Sequence, residues 1–254
     1  MSREHQASAR LEIKRKIRYR IDSVLPDKLS TRGEFLIILS DLEKNEWDRR
    51  NVFPIKRAFL SSYIKDEQLS DFAKYLADNG VELVSSGGTA TYLSSLPLKV
   101  ITSEELTGLR SILEHRVATL HPKIHGGILA KRDDPLHQAD MAEYDIQPFD
   151  LVLVNIYPFL EAITKGTLSS KELIEMIDIG GPTLLRGAAK NYKEVCAVSS
   201  PGQYVLVQEA IKALGGTNEH LRLGLAQEVF RMMSIYDSAV DDFLRKELST
   251  FIQP

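Results

Sequence analysis

From Ile55 onward, short apolar runs alternate along the chain with stretches that are apolar on one side only. "RAFLSS", "VELVSS", "KVITS", "DLVLVNIY" and "EVCAVSS" are bounded by turn residues and rich in Val, Leu and Ile, which predicts five strands. "DLVLVNIY" is apolar without alternation, the pattern of a central parallel strand covered on both faces. Between the runs, "EQLSDFAKYLADNG" sets Leu69, Phe72, Ala73 and Leu76 on one helical face and stops at Asn79-Gly80. "TATYLSSL" begins a helix that ends before Pro97, and "KELIEMI", "TLLRGAAKN" and "PGQYVLVQEAIKAL" read as further helices. The final segment, "LAQEVFRMMSIYDSAVDDFLRKEL", predicts one long helix with a core-facing stripe of Leu225, Val229, Met232, Tyr236, Ala239 and Phe243. Repeated strand–helix alternation predicts an α/β fold: a three-layer, doubly wound, mainly parallel sheet.

The stretch before this follows another pattern. Ile13, Ile17 and Ile21 form a narrow apolar stripe in a segment crowded with Lys and Arg, and "EFLIILSDLEKNEWDRR" aligns Phe35, Leu36, Leu39 and Leu42 ahead of Trp47. We therefore divide the chain into a helical N-terminal extension, 1–54, and an α/β domain, 55–254. The extension is expected to dock on the main domain or on a partner subunit.

Composition narrows the function classes. The chain has 254 residues, 43 % hydrophobic and 26 % charged, as a globular domain requires. A net charge of −3 carries no electrostatic signature of nucleic-acid binding. No apolar run approaches the ~20 residues of a membrane span, and the basic start lacks the apolar core of a signal peptide, so a cytoplasmic location is expected. The single cysteine, Cys196, excludes an intrachain disulfide and lies in a strand, as an inert core thiol.

Candidate chemistry collects where strands end. "VSSGGTAT" ends a strand on Ser85 and Ser86, turns at Gly87-Gly88, and offers Thr89 as a cap for the next helix. Such a turn presents backbone amides to an anion. The neighbouring strand end, "FLSSYIKDE", adds Ser61, Ser62 and Lys65. "HRVATLHPKIHGGIL" holds His121 and His125 four apart, the spacing of a helical metal pair. Pro122 and Gly126-Gly127 argue against a helix there, and no acidic third ligand follows, so the stretch reads as a substrate-facing loop presenting Arg116 and Thr119, with no metal. "NIYPF" places Asn155 and Tyr157 at the end of the central strand. "IDIGGPTLLRGAAKN" sets Asp178 before Gly180-Gly181 and Lys190 at the far end of the ensuing helix.

These blocks carry a resemblance. "SSGGTATYL", "TLHPKIHGGILA", "FDLVLVNIYPF", "IDIGGPTLLRGAAKNYKEV" and "VFRMMSIYDSAV", in this order and at similar spacing from about Ile55 to Leu248, resemble the inosinicase domain. That domain is the IMP cyclohydrolase half of a bifunctional purine-biosynthesis enzyme with a methylglyoxal-synthase-like fold. The resemblance implies dehydrative ring closure of 5-formamidoimidazole-4-carboxamide ribotide to IMP, without metal or organic cofactor. It implies that Ser61, Lys65, Ser86, Gly87, Gly88 and Thr89 hold the 5′-phosphate. Arg116, Asn155, Gly180 and Gly181 then surround the imidazole and formyl groups. Asp178 and Lys190 handle protons, with Thr119 and Tyr157 as polarising donors. A homodimer is implied, and so is a separate formyltransferase, since no formyltransferase domain follows within these residues.

Three departures fall on that site. The family's Arg-Val-Lys-Thr is Arg116-Val117-Ala118-Thr119 here, which removes a charge expected near the reacting formyl group. The family's Ser-Val-Ser-Asp-Lys-Thr-Gly becomes "SSYIKDEQ", with one inserted residue. "GLRSILEHRV" replaces the usual Gly-Phe-Pro-Glu-Met stretch, with Glu114-His115 where two glycines are common. The competing expectation is a catalytically degenerate module that binds purine nucleotides for regulation or scaffolding, because this fold also serves as a regulatory domain.

Overall fold

The computed structural model describes residues 51–114 and 116–250, so the helical candidates within 1–50 lie outside the described residues. Five parallel strands form one sheet in the order β3-β2-β1-β4-β5. They are β1 Arg57–Ser62, β2 Glu82–Ser85, β3 Val100–Thr102, β4 Leu151–Asn155 and β5 Cys196–Val198. All five match expected apolar runs. The chain builds outward from β1 to β3, then returns to place β4 on the other side of β1. That reversal puts a switch point between β1 and β4, where open α/β sheets take their ligands.

Alternation along the strands divides the core in two. On one face Ala58, Leu60, Leu83, Leu151, Leu153, Cys196 and Val198 meet α1 (Glu67–Asp78), α2 (Gly87–Ser94) and α9 (Tyr204–Leu214). Helix α1 buries Leu69, Phe72, Ala73 and Leu76 as the periodicity predicts, and Asp66 caps it by accepting from the Leu69 N–H at 3.0 Å. On the other face Phe59, Val84, Val152, Val154 and Ala197 meet α4 (Pro122–Leu129) and α8 (Gly180–Lys190). Every β4 residue is buried, which accounts for its unbroken apolar run. Cys196 is buried, and its surroundings push the thiol up to about 12, so it stays protonated.

The remaining helices are α3 (Ser103–Thr107), α5 (Pro135–Glu143), α6 (Phe159–Lys165), α7 (Ser170–Glu175) and α10 (Glu219–Thr250). Helix α10 has 32 residues, about 48 Å at 1.5 Å per residue. It packs on the sheet through Leu221, Leu225, Ala226 and Val229, then continues past it to bury Tyr236, Ala239 and Phe243 against α6 and α7.

Three expectations need correction. The stretch after His121 is helix α4, not a loop. Pro122 opens it at a position where its missing N–H costs nothing, and the His121 ring caps it by accepting from the Lys123 N–H at 3.1 Å. The glycines are there for packing: a Cβ on Gly127 would stand 2.3 Å from the Gln147 carbonyl oxygen. The long helix buries Met233 at 2 % exposure, while Met232 is only partly buried. The cap of α2 is Ser86 rather than Thr89, which lies inside the first turn.

Candidate active site

The site is built at the carboxyl ends of β1, β2 and β4. On the β2 side, Ser86 precedes α2 with its hydroxyl making no cap hydrogen bond, and Gly87 turns the chain at φ +52°. Open space lies above Gly87, and the end of the Lys65 side chain stands over Gly88, with Nζ 3.7 Å from where a Cβ would be. Lys65 also donates to the carbonyls of Ser62 and Tyr63, at 3.1 and 3.3 Å. An ammonium group and the amino end of a helix therefore stand side by side, both favouring an anion.

Thr89 joins this turn to β1. It accepts from the Ser62 N–H at 2.9 Å and donates to the Ser62 carbonyl at 3.0 Å, fully buried. Its hydroxyl is thus spent on the scaffold. Asn155 is similarly occupied. Its side-chain oxygen accepts from Ser62 Oγ and from the Tyr204 hydroxyl, each at 2.8 Å, and its amide donates to the Ser199 carbonyl. Ser61, one residue before the end of β1, is half-buried, on the face that carries Phe59.

Beyond β4, Asp178 is the electrostatic centre. Its carboxylate accepts from the Gly181 N–H at 2.9 Å and also faces the N–H groups of Tyr157 and Gly180. Its own N–H donates to the Tyr236 hydroxyl at 2.7 Å. Burial raises the carboxyl above its ordinary value, and the three amides only partly offset this. A Cβ on Gly180 would stand 3.0 Å from Thr119 Oγ1, so the Thr119 hydroxyl borders the same corner, almost fully buried.

Two expected members stand apart. Lys190 is exposed at the far end of α8, ten residues from Gly180 and so about 15 Å away along the helix. It does not meet Asp178 within one chain. Arg116 is exposed and paired with Glu175 of α7. Ser62 and Tyr236, expected at a strand end and in the helical stripe, serve here as structural members, and Tyr204 joins them without a pattern that singles it out. Two of them are buried tyrosines, whose polar tips ordinarily find a partner. Among the described residues no group of three or more His, Cys, Asp or Glu is placed to hold a metal.

The MGS-like domain family matches residues 68–183, and the AICARFT/IMPCHase bienzyme family matches residues 188–253. The chain resembles the bifunctional purine biosynthesis protein PurH of Lactobacillus acidophilus, at 46 % identity over 76 % of this chain and 38 % of the relative. PurH of Brachyspira hyodysenteriae is 45 % identical over 77 % of this chain and 38 % of its own length. The crystal structure of ForH superposes with a TM-score of 0.65 and 31 % identity, covering 75 % of this chain and 99 % of that one. The chain belongs to the AICARFT/IMPCHase family. It spans about 38 % of the length of the PurH relatives. Within that family, both the Ser86–Thr89 turn and Asp178 fall in the MGS-like match, while Lys190 falls in the bienzyme match.

Proposed function

We propose that the chain is an IMP cyclohydrolase, closing 5-formamidoimidazole-4-carboxamide ribotide to IMP in purine biosynthesis. The observation that carries this reading is the pairing of two corners across one switch point. Lys65 and the α2 amino end suit a phosphate, and a carboxyl raised by burial lies beside the start of α8.

In the reaction the carboxamide nitrogen attacks the formyl carbon of the same molecule. The formyl oxygen leaves as water with one proton from each of the two nitrogens. Holding both ends of the ribotide brings nitrogen and carbon together, a proximity effect. Asp178, more basic than an ordinary carboxylate, takes the amide proton as the C–N bond forms. The Thr119 hydroxyl and nearby backbone amides receive the developing oxyanion. Ser61, Ser86, Gly87 and Gly88 line the phosphate corner, with Thr89 holding it to β1. Arg116, Tyr157, Gly180 and Gly181 border the heterocycle, and Asn155 keeps the two strand ends in register.

Lys190 enters this scheme only from another copy of the chain, which accords with the homodimer we propose. The formyl group is installed by a formyltransferase, in this proposal a separate partner, and the setting is cytoplasmic. No helix among the described residues is long and apolar enough to cross a membrane. We keep 1–54 as an extension and 55–254 as the catalytic domain. Incubating the pure protein with the formamido ribotide and following IMP absorbance tests the reading. A rate no faster than the spontaneous one overturns it, and IMP binding without turnover would favour the degenerate nucleotide-binding module.

A further inference from the structure

Tyr63 is the first residue past β1. Its N–H extends the β1–β4 ladder by donating to the Asn155 carbonyl at 2.9 Å. The turn around it is held on both sides: Ser62 Oγ reaches the Ile64 carbonyl at 2.5 Å, and the Lys65 ammonium reaches the carbonyls of Ser62 and Tyr63. The ring of Tyr63 lies against that of Tyr157, centroids 5.0 Å apart and tilted by 48°. Both residues are half-exposed, at 45 % and 46 %, and the ring contact joins them across the two strand ends. Tyr157 in turn turns its N–H toward the Asp178 carboxylate.

The two strand ends are therefore joined by a ring contact that spans the switch point. One side carries Lys65 and the other carries Asp178. We infer that Tyr63 is a positioning residue, whose ring holds Tyr157 and the β4–α6 turn in the geometry that ring closure uses. The inference rests on the cyclohydrolase reading for its chemistry, and it adds a residue that the family motifs leave unassigned. A tilted aromatic pair contributes enough to predict a loss of about 2- to 10-fold when it is broken.

The test compares Tyr63→Ala, Tyr157→Ala and the double variant for ring closure, and for IMP binding by calorimetry. Tyr63→Ala is expected to lower kcat about 2- to 10-fold with little change in KM. The double variant is expected to be no worse than Tyr157→Ala alone, and Tyr63→Phe should restore turnover. Losses that multiply in the double variant overturn the inference. Should Tyr63→Ala fold poorly, Tyr63→Leu takes its place. In protein labelled with 3-fluorotyrosine, the Tyr157 resonance, identified by its loss in Tyr157→Phe, should then shift. A resonance that does not move also overturns the inference. A wild-type chain that neither closes the ring nor binds IMP removes both readings. One that does both while the losses multiply removes the Tyr63 inference alone.

Discussion

Gly181 and Asp178 are in contact across three residues of chain. The Gly181 N–H donates to one carboxylate oxygen at 2.9 Å, and a Cβ on Gly181 would stand 2.6 Å from the other. Ile156 and Val154 close the remaining sides, each 3.1 Å from that Cβ position. The glycine is thus required by space rather than by backbone angle.

Gly181→Ala should displace the carboxylate or lift α8 from β4. Overpacking of this kind costs about 1–3 kcal/mol, or roughly 2–10 °C in Tm for a domain of this size. A shift of about 1 Å in a reacting group costs on the order of 10²-fold in rate. Turnover should therefore fall by about that factor in a variant that remains folded at 25 °C. Melting curves with single-turnover rates check this, and full activity would show that the contact is not needed.

Asp178→Asn separates catalysis from stability. The folded-state carboxyl is raised above its value in the unfolded chain, chiefly by burial. The native state thus holds its proton more tightly than the unfolded state does. Its contribution to stability is complete below the unfolded value and is lost as pH rises through the raised folded value. At neutral pH the ionised group is a cost that the neutral amide avoids. The variant should melt above wild type at neutral pH, with the gap closing in acid, while kcat falls about 10²–10⁴-fold. Wild-type kcat/KM should lose its acid limb above the ordinary carboxylate range. A variant that keeps its rate would remove Asp178 from proton transfer.

Lys65 offers a test of the phosphate corner alone. Its ammonium stands over Gly88 at the start of α2. Removing a charged hydrogen-bond donor from a phosphate is worth about 1.5–3 kcal/mol. Lys65→Gln should then weaken IMP binding about 10- to 100-fold and flatten its dependence on salt. Inosine, which lacks the phosphate, should bind both proteins alike. Equal loss for nucleotide and nucleoside would place Lys65 elsewhere.

The sheet was readable because each strand is a short apolar run between turn residues, and β4 because burial on both faces removes alternation. Helix α4 was not, because Gly126 and Gly127 count against a helix until their neighbours are known. Only the Ile146 side chain and the Gln147 carbonyl explain them. In the stripe of α10, Met232 is partly buried against the core and Met233 more fully, since neighbouring methionines fit the period almost equally well. Nor does any local pattern foretell that Arg222, buried in that helix, spends its guanidinium on the carbonyls of Tyr192 and Lys193. The corner formed by Thr119, Asp178, Gly180 and Gly181 was legible as residues but not as geometry. The resemblance set Lys190 beside Asp178 in proton handling, although within one chain the helix carries the two apart.

Ala118 gives the sharpest test of whether chemistry was lost at this site. It precedes Thr119, whose hydroxyl borders Gly180, and it is itself half-buried beside the same corner. The family resemblance implies a lysine there, a charge that would face an oxyanion developing on the formyl group. A single preorganised donor of this kind is worth about 10²–10³ in rate. Ala118→Lys should therefore raise kcat toward that factor while leaving IMP affinity within a few-fold. The Asp178→Asn background should abolish the gain, because the oxyanion forms only when the amide proton has somewhere to go. Single-turnover rates on the two variants and their combination measure this directly. A rate unchanged or lowered by Ala118→Lys, with folding intact, would mean that this chain supplies the missing charge from another residue.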